Sequence, residues 1–229
     1  FGLTETSPVT HFNRPWFIKP GTVGHAIRGT ETRIADDGEL LIRGPQVMAG
    51  YYKNDAATKE VFTDDGFFRT GDIAMIDEDG CLKITGRIKD IIVTAGGKNI
   101  SPQNIENSVK NSRYVEQIAV IGDRRKFLSA LVVPAFPELE AWAKQQGVAY
   151  GAVTDLLTNA KVLELFRKEI DENTAQFARV EQIRKFTLIK AEWTQVTGEL
   201  TPTQKVKRRV IEKKYAAEID AMYADETGD

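Results

Sequence analysis

The sequence lacks several features on which whole classes of protein depend. It has one cysteine, Cys81, among 229 residues, which excludes an intrachain disulfide scaffold and a zinc site built from clustered cysteines. Any metal would therefore bind through oxygen ligands. The longest apolar stretch, residues 128–136, falls well short of the roughly 20 residues that cross a membrane, and no signal-type amino end is present. We therefore expect a soluble, cytoplasmic protein.

A surplus of charge of one sign is also absent. The chain has 31 basic and 33 acidic residues, a formal net charge of -2, with 41% hydrophobic and 28% charged residues. These values are ordinary for globular proteins, and they exclude collagen, general disorder and a generally basic nucleic-acid binder. A chain of this length can bury a core, either as one large domain or as two small ones.

Short strand signals, separated by glycine and aspartate turns, fill the chain up to Lys89. Only residues 55–62 look helical there, with Asp55 placed to cap the first turn. The pattern predicts hairpins in a small sheet or barrel. The predicted strands cover residues 23–27, 39–43, 73–77 and 81–85.

Strands alternate with helices after Asp90, where the composition changes. Ser101 caps one predicted helix, Pro102 lies in its first turn, and Ile105 and Val109 share its buried face. The fold class that follows is mixed α/β (α+β): a β-rich subdomain, then a domain in which helices flank a small sheet. Further strands are predicted at 91–94, 117–121 and 128–133, and further helices at 137–146, 162–177 and 203–223.

Two of these helices have a clear apolar stripe at helical spacing. We expect the buried stripes to be Val162, Phe166 and Ile170 in one helix, and Val206, Val210 and Ala217 in the last helix.

Two short polar stretches in the first part could bind a nucleotide. In residues 1–6 a base could stack on Phe1, a phosphate could accept from Thr4, and Glu5 could hold a Mg²⁺ that bridges phosphate oxygens. In residues 68–72, Asp72 could take both hydroxyls of a ribose. An ordinary loop, and a turn in which Asp72 bonds backbone N–H groups, are the alternative interpretations.

Two stretches in the second part carry glycine and positive charge. Residues 86–102 run from a charged connector through a buried strand to a glycine pair, which suits either a tight turn or the close approach of a ligand. In residues 205–214 six of ten residues are basic, which is typical of a solvated or anion-attracting face. We predict Lys205 in the first turn of the last helix, where it could neutralise a phosphoryl or carboxylate oxygen during transfer.

These stretches, taken in order, resemble the motifs of the adenylate-forming acyl-CoA synthetases over nearly the whole chain. The similar segments are FGLTE at 1–5, GEL through GY at 38–51, FRTGD at 68–72, GRIKDIIVTAGGKNISPQNIE at 86–106 and ELTPTQKVKRR at 199–209. The last segment, with the helical region at 137–177, looks most like the long-chain fatty acid branch.

The resemblance implies a role for each matching residue of the first part. Phe1 would lie against adenine, with Gly2 in the same ATP/AMP loop. Thr4 would contact the α-phosphate and Glu5 would bind Mg²⁺. Asp72 would hold the ribose hydroxyls, with Arg87 nearby.

In the second part of the chain, the resemblance implies that Lys89 is the hinge of a mobile lid. Lys205 would be the catalytic residue that stabilises the adenylation transition state. Gly96 and Lys98 would face CoA in the other position of the lid.

The implied reaction converts ATP, a long-chain fatty acid and CoA to acyl-CoA, AMP and diphosphate through an acyl-adenylate. The family's phosphate loop and most of its acyl pocket lie upstream of the segment matching FGLTE, and neither is present. Phe1 stands where tyrosine is usual and Gln204 where many branches have glycine. We therefore expect a carboxy-terminal fragment, inactive alone, in which residues 1–88 end the large domain and residues 89–229 form the lid. Its partner would be the upstream amino-terminal domain.

Two other functions stay open at this point. The chain could belong to an acyl-AMP ligase that delivers the adenylate to a carrier protein instead of CoA. It could also be a non-catalytic module whose basic face binds anions or lipid, and a peripheral membrane contact is compatible with either.

Overall fold

The computed structural model describes residues 1–202 and 204–224. The chain divides into two compact units, Phe1–Lys89 and Asp90–Asp229. Helices and several small sheets build both, so the expected mixed α/β class is confirmed. In the described part of the chain, no helix is long and apolar enough to cross a membrane.

A four-stranded antiparallel sheet forms the centre of the first unit, with the strand order β3-β4-β5-β6. A two-stranded antiparallel pair, β1 and β2, lies outside it. The elements are β1 (His11–Phe12), β2 (His25–Ala26), β3 (Glu31–Ile34), β4 (Glu39–Arg43), α1 (Asp55–Val61), β5 (Phe68–Ile76) and β6 (Leu82–Arg87).

The core of this unit is small and lies on the central strands. Leu40, Ile42, Ala74 and Leu82 are buried together, and Phe1 packs against them. The residues that start α1 correct one prediction. Asn54, not Asp55, is the N-cap, because its side-chain oxygen accepts a hydrogen bond from the backbone N–H of Ala57 at 3.1 Å.

A three-stranded sheet forms the centre of the second unit, in the order β11-β10-β9; β10 is antiparallel to β9 and parallel to β11. The other strands, β7 and β8, form a separate hairpin. The elements are β7 (Ile92–Val93), β8 (Asn99–Ile100), α2 (Pro102–Val109), β9 (Val115–Ile121), β10 (Leu128–Pro134), α3 (Phe136–Gln145), α4 (Ala160–Thr174), β11 (Ile183–Leu188), α5 (Arg208–Lys214) and α6 (Ala216–Tyr223).

Helices cover both faces of this sheet, so successive residues of a strand enter different cores. Along β9, Ile118 and Val120 pack with the helices α2 and α4, whereas Ala119 and Ile121 pack with α5 and α6. The predicted stripe of α4 is confirmed, since each of its residues is fully buried. The buried stripe of α2, Ile105 and Val109, is confirmed as well.

The predicted last helix is wrong in its start, its continuity and its buried face. Helix α5 begins at Arg208, and a break at Tyr215 separates it from α6; residue 203 lies outside the described residues. Val210 and Ala217 are exposed and Val206 is half-buried. The apolar side is instead a different stripe at helical spacing: Ile211, Tyr215, Ile219 and Met222.

Candidate active site

The amino-terminal loop is held in one conformation by the buried hydroxyl of Thr6. The Thr6 Oγ1 accepts from the backbone N–H of Leu3 at 2.9 Å and lies 3.0 Å from the Leu3 carbonyl oxygen, to which it donates. These bonds close a short 3₁₀ turn, which leaves Thr4 exposed and Glu5 half-buried. The loop therefore presents a hydroxyl and a carboxylate side by side.

Gly2 is required by the packing of this loop itself. A Cβ at this position would lie 1.5 Å from the carbonyl oxygen of Pro8, which no side chain can accept. The packing of the loop alone therefore explains why residue 2 is glycine, without a bound ligand.

Tyr51 reaches the predicted metal ligand from the segment that follows β4. Its hydroxyl donates to Glu5 Oε1 at 3.0 Å. Two causes raise the pKa of Tyr51 above its ordinary value: burial is the larger, and this hydrogen bond to the Glu5 carboxylate is the second. No group of three or more His, Cys, Asp or Glu that could hold a metal is found in the described residues. Glu5 nevertheless fits Mg²⁺, which commonly takes one or two carboxylates and completes its shell with phosphates and water.

Asp72 and Arg87 lie directly opposite each other on β5 and β6. The Arg87 Nε donates to Asp72 Oδ1 at 2.8 Å. The carboxylate side chain is 4% exposed and the guanidinium 51% exposed, so the arginine covers the acid from the solvent side. Phe1 packs on the same core as Ala74, two residues beyond Asp72 along β5.

Glu39, which belongs to the segment GEL through GY, anchors the turn that presents Asp72. Its buried carboxylate accepts from the backbone N–H of Gly71 at 3.0 Å and from Arg69 Nη1 at 2.9 Å. Thr70 Oγ1 donates to the carbonyl of Leu40 at 2.7 Å, on the same strand as Glu39. The signal available in the sequence was an acidic residue at the start of an otherwise apolar strand.

Lys89, the predicted hinge, is exposed in a one-turn 3₁₀ segment, Ile88–Asp90. It is the last residue of the first unit.

The glycine pair lies in a tight turn between β7 and β8. The Gly97 N–H donates to the Thr94 carbonyl at 2.8 Å, and Gly97 has a φ of +75°, which favours glycine. Gly96 differs, because a Cβ there would meet only Thr94 Oγ1, at 3.9 Å. The missing side chain of Gly96 is thus not required by the packing of the chain.

Gly96 and Lys98 line a cavity of about 540 Å³ in the second unit. Phe127, Val180 and Ile183 supply apolar wall, and Asp171 supplies one carboxylate. The other charged side chains that line it are basic: Lys98, Lys126, Arg179 and Arg184. This excess of positive charge suits a ligand that combines phosphates with a less polar part.

Lys205 lies on a hairpin and not in the first turn of a helix, which corrects the prediction. The Thr201 N–H donates to the Lys205 carbonyl at 2.8 Å, and Leu200 and Val206 form an antiparallel bridge. Helix α5 starts three residues later, at Arg208, so the helix dipole does not explain this lysine. The hairpin instead leaves its side chain exposed.

The structure thus places the predicted residues on two separate units. Phe1, Gly2, Thr4, Glu5, Asp72 and Arg87 belong to the first unit, and Gly96, Lys98 and Lys205 to the second.

Comparison with protein families gives a match over most of the chain. Residues 1–52 match the family described as AMP-binding enzyme, and residues 89–227 match the AMP-binding enzyme C-terminal domain.

Individual relatives agree with this result. The chain is 43% identical, over 99% of its length, to the long-chain-fatty-acid–CoA ligase FadD15 of Mycobacterium tuberculosis, of which it covers 38%. It is 33% identical, over 98% of its length, to the long-chain-fatty-acid–acyl-carrier-protein ligase AEE15 of Arabidopsis thaliana, of which it covers 32%. A solved structure, the adenylation domain of a carboxylate reductase from Mycobacterium chelonae, is similar with a TM-score of 0.73 at 26% identity, over 88% of this chain and 32% of that chain.

The chain therefore spans about two fifths of the FadD15 sequence, and about a third of AEE15 and of the carboxylate reductase chain. The family resemblance drawn from the motifs is confirmed by the two family matches and by the FadD15 relative. This chain belongs to the AMP-binding enzyme family, and its residues 89–227 form the C-terminal domain of that family.

Proposed function

We propose that this chain supplies the carboxy-terminal part of a long-chain fatty acid CoA ligase. The reaction joins a fatty acid to CoA with ATP, through an acyl-adenylate, and releases AMP and diphosphate. The observation that carries the proposal is the cationic cavity beside Gly96, in a chain 43% identical to a relative named as such a ligase.

The first unit would hold the nucleotide. The Phe1 ring offers a face for adenine, and the exposed hydroxyl of Thr4 is available to a phosphate oxygen. Asp72, fixed by Arg87 and by the turn anchored on Glu39, would accept from both ribose hydroxyls. A carboxylate held from two sides keeps the ribose, and hence the α-phosphate, in one place.

Glu5 would hold the Mg²⁺ of the nucleotide, with its other oxygen engaged by Tyr51. When bound, the ion would offset negative charge on the phosphate oxygens. The hydrogen bond from Tyr51 fixes the orientation of the carboxylate, so that its lone pairs face a constant direction.

Lys205 would act while the fatty carboxylate attacks the α-phosphate. Negative charge then accumulates on the transferring oxygens, and an ammonium group near them lowers the barrier. An exposed lysine on a hairpin closed by backbone hydrogen bonds could be brought to this position and withdrawn from it by a movement of the whole C-terminal domain.

The cavity next to Gly96 would take CoA during the second half-reaction. Lys98 and Arg179 would pair with its phosphates, and the open side of Gly96 would let its slender pantetheine arm pass close to the backbone. Because Lys205 and this loop serve different steps, the C-terminal domain must present them in turn, and Lys89 is our candidate for the hinge.

A segment upstream of Phe1 would complete the enzyme with a phosphate loop and an acyl pocket. This part of the proposal is supported by the share of FadD15 that the chain covers, 38%.

A peripheral membrane contact is a further part of the proposal, since long-chain fatty acids partition into bilayers. Trp16 and Ile18 are 79% and 68% exposed, and exposed tryptophan is common where proteins meet the membrane interface. The fraction of protein that sediments with anionic vesicles should be smaller for Trp16→Ser than for the wild type. Equal fractions for the wild type and the variant would contradict the contact.

The function is tested by an assay of the complete enzyme that contains this chain. It is supplied with ATP, Mg²⁺ and a labelled long-chain fatty acid, and with either CoA or an acyl-carrier protein as acceptor. We expect acyl-CoA and AMP. Transfer to the carrier protein alone would favour the acyl-AMP ligase, and failure to form an acyl-adenylate at all would contradict both.

A further inference from the structure

We propose that Arg208 and Glu106 form a positioning pair that fixes the hairpin of Lys205 against helix α2. The inference rests on the proposed role of Lys205 in adenylation, and neither Arg208 nor Glu106 is among the site residues predicted from the motifs.

The pair is almost buried and links three elements. Arg208 Nη2 donates to Glu106 Oε1 at 2.6 Å, and the two side chains are 17% and 11% exposed. Arg208 Nη1 also donates to the carbonyl oxygen of Val120, and the Val120 N–H donates to Glu106 Oε1 at 2.8 Å. The start of α5, the helix α2 and the end of β9 are therefore joined in one hydrogen-bonded group.

Arg208 follows Lys205 by three residues and lies next to the base of the hairpin. The neighbouring residue Lys207 donates its N–H to the Glu199 carbonyl at 2.7 Å, which closes the base. The buried Glu199 side chain in turn accepts from Lys214 in α5. Both strands of the hairpin are thus attached to α5, and Arg208 attaches α5 to the sheet.

Glu106 connects this arrangement to the segment proposed for CoA. Helix α2 begins at Pro102, directly after β8 and the turn that contains Gly96 and Lys98. One ion pair therefore relates the two functional segments of the second unit to each other.

The physical character of the pair suits positioning. A buried ion pair gains little net stability, because desolvation of both groups offsets their attraction, but it allows few geometries. The guanidinium bonds a carboxylate and a carbonyl at once, which the single ammonium of lysine cannot reproduce in the same way. A displacement of about 1 Å at a catalytic group can lower a rate by as much as about 100-fold.

The test uses Arg208→Lys and Glu106→Gln in the complete enzyme, with two half-reactions measured separately. Adenylation is followed by pyrophosphate exchange, and thioester formation by transfer from supplied acyl-adenylate to CoA. We expect kcat for adenylation to fall at least tenfold for Glu106→Gln, with KM for ATP within twofold of the wild type. Arg208→Lys keeps the charge but cannot bond the Glu106 carboxylate and the Val120 carbonyl together, so it should lower kcat for adenylation as well, by a smaller factor than Glu106→Gln.

Two controls separate positioning from stability and from the proposed function. Ile170→Ala removes buried volume in α4, in the core on the other face of the sheet, and serves as a destabilised control. If it lowers adenylation kcat as much as Glu106→Gln at equal loss of Tm, the pair is merely structural and the inference is wrong. If the wild-type enzyme forms no acyl-adenylate, the proposed function fails. If Lys205→Ala leaves adenylation intact, the proposed role of Lys205 fails; if only the pair variants leave it intact, the positioning inference fails alone.

Discussion

At the scale of single residues, Gln204 shows how the hairpin of Lys205 constrains its sequence. It has a φ of +61°, in the left-handed region, and its N–H donates to the Thr201 carbonyl at 2.9 Å. A residue with a Cβ is strained there by roughly 1–2 kcal/mol, so glycine would suit this position better.

Replacement of Gln204 by glycine should therefore stabilise the second unit. We expect the free energy of unfolding in urea to rise by about 0.5–1 kcal/mol, since relief of strain exceeds the entropy gained by the unfolded chain. Gln204→Ala, which keeps a Cβ, is the matched control and should gain nothing. A loss of stability on Gln204→Gly would contradict the strained turn.

His11 gives the first unit a pH dependence of its own. The ring is buried, its Nδ1 lies 3.0 Å from Thr10 Oγ1 and its Nε2 lies 3.2 Å from Thr32 Oγ1. Burial lowers the pKa of His11 from 6.5 to about 4. Between these two values the unfolded chain binds a proton that the folded chain does not, so stability falls as the pH decreases from 6.5 to 4.

Because one unit of pKa difference corresponds to about 1.4 kcal/mol, the loss attributable to His11 is at most on the order of 3 kcal/mol. Urea unfolding of the first unit, followed at pH 7, 6 and 5, should show this slope in the wild type and a smaller one for His11→Gln. His25→Gln is the control and should keep most of the slope, because the charge of His25 is the smallest of the three causes that lower the pKa of His11. A slope that is unchanged in His11→Gln means that His11 is not its source.

At the scale of elements, the turn between β7 and β8 permits a direct test of the cavity. Gly96→Leu adds a side chain where the protein itself leaves room, so the fold should tolerate it within about 0.5 kcal/mol. We expect the KM for CoA to rise at least about tenfold, because Gly96 lines the cationic cavity and a leucine side chain there would take up space proposed for CoA.

Gly96→Ala should have a smaller effect on the KM for CoA in the same assay, and adenylation should be unchanged for both variants. An unaltered KM for Gly96→Leu would place the CoA site elsewhere.

Elements with an uninterrupted pattern could be predicted from the sequence. Strand β4 was predicted at its observed bounds, because three consecutive apolar residues follow Glu39. Helix α4 was recognised by residues that recur every fourth position and are all buried. Strand β11 was not predicted, since Arg184 and Lys185 interrupt its apolar residues; its parallel pairing with β10 depends on contacts distant in sequence.

In the candidate site too, local sequence patterns predict some residues, and contacts distant in sequence decide the rest. The motifs marked Asp72, Gly96 and Lys205, but their supports could not be found by local pattern. Glu39 acts on a turn some thirty residues away, and Glu106 contacts Arg208 across 102 residues of sequence. The basic residues after Lys205 have helical character, and they therefore predict a helix that includes it. The observed hairpin is closed by backbone hydrogen bonds that any sequence can make, so the side chains do not reveal it.

At the scale of the whole molecule, the two units have separate cores and separate sets of candidate residues. The first unit contains the residues proposed for ATP and Mg²⁺. Among the exposed lysines of the second unit, Lys98 and Lys205 lie on different loops. The central claim is that each lysine serves one half-reaction of the same ligase.

The most direct measurement compares Lys205→Ala with Lys98→Ala in the complete enzyme. Lys205→Ala should lower the rate of acyl-adenylate formation by about 100-fold or more and leave thioester formation from supplied acyl-adenylate within twofold. Lys98→Ala should raise the KM for CoA in thioester formation and leave adenylate formation unchanged. Equal loss of both half-reactions in either variant would contradict the division of roles between the two loops.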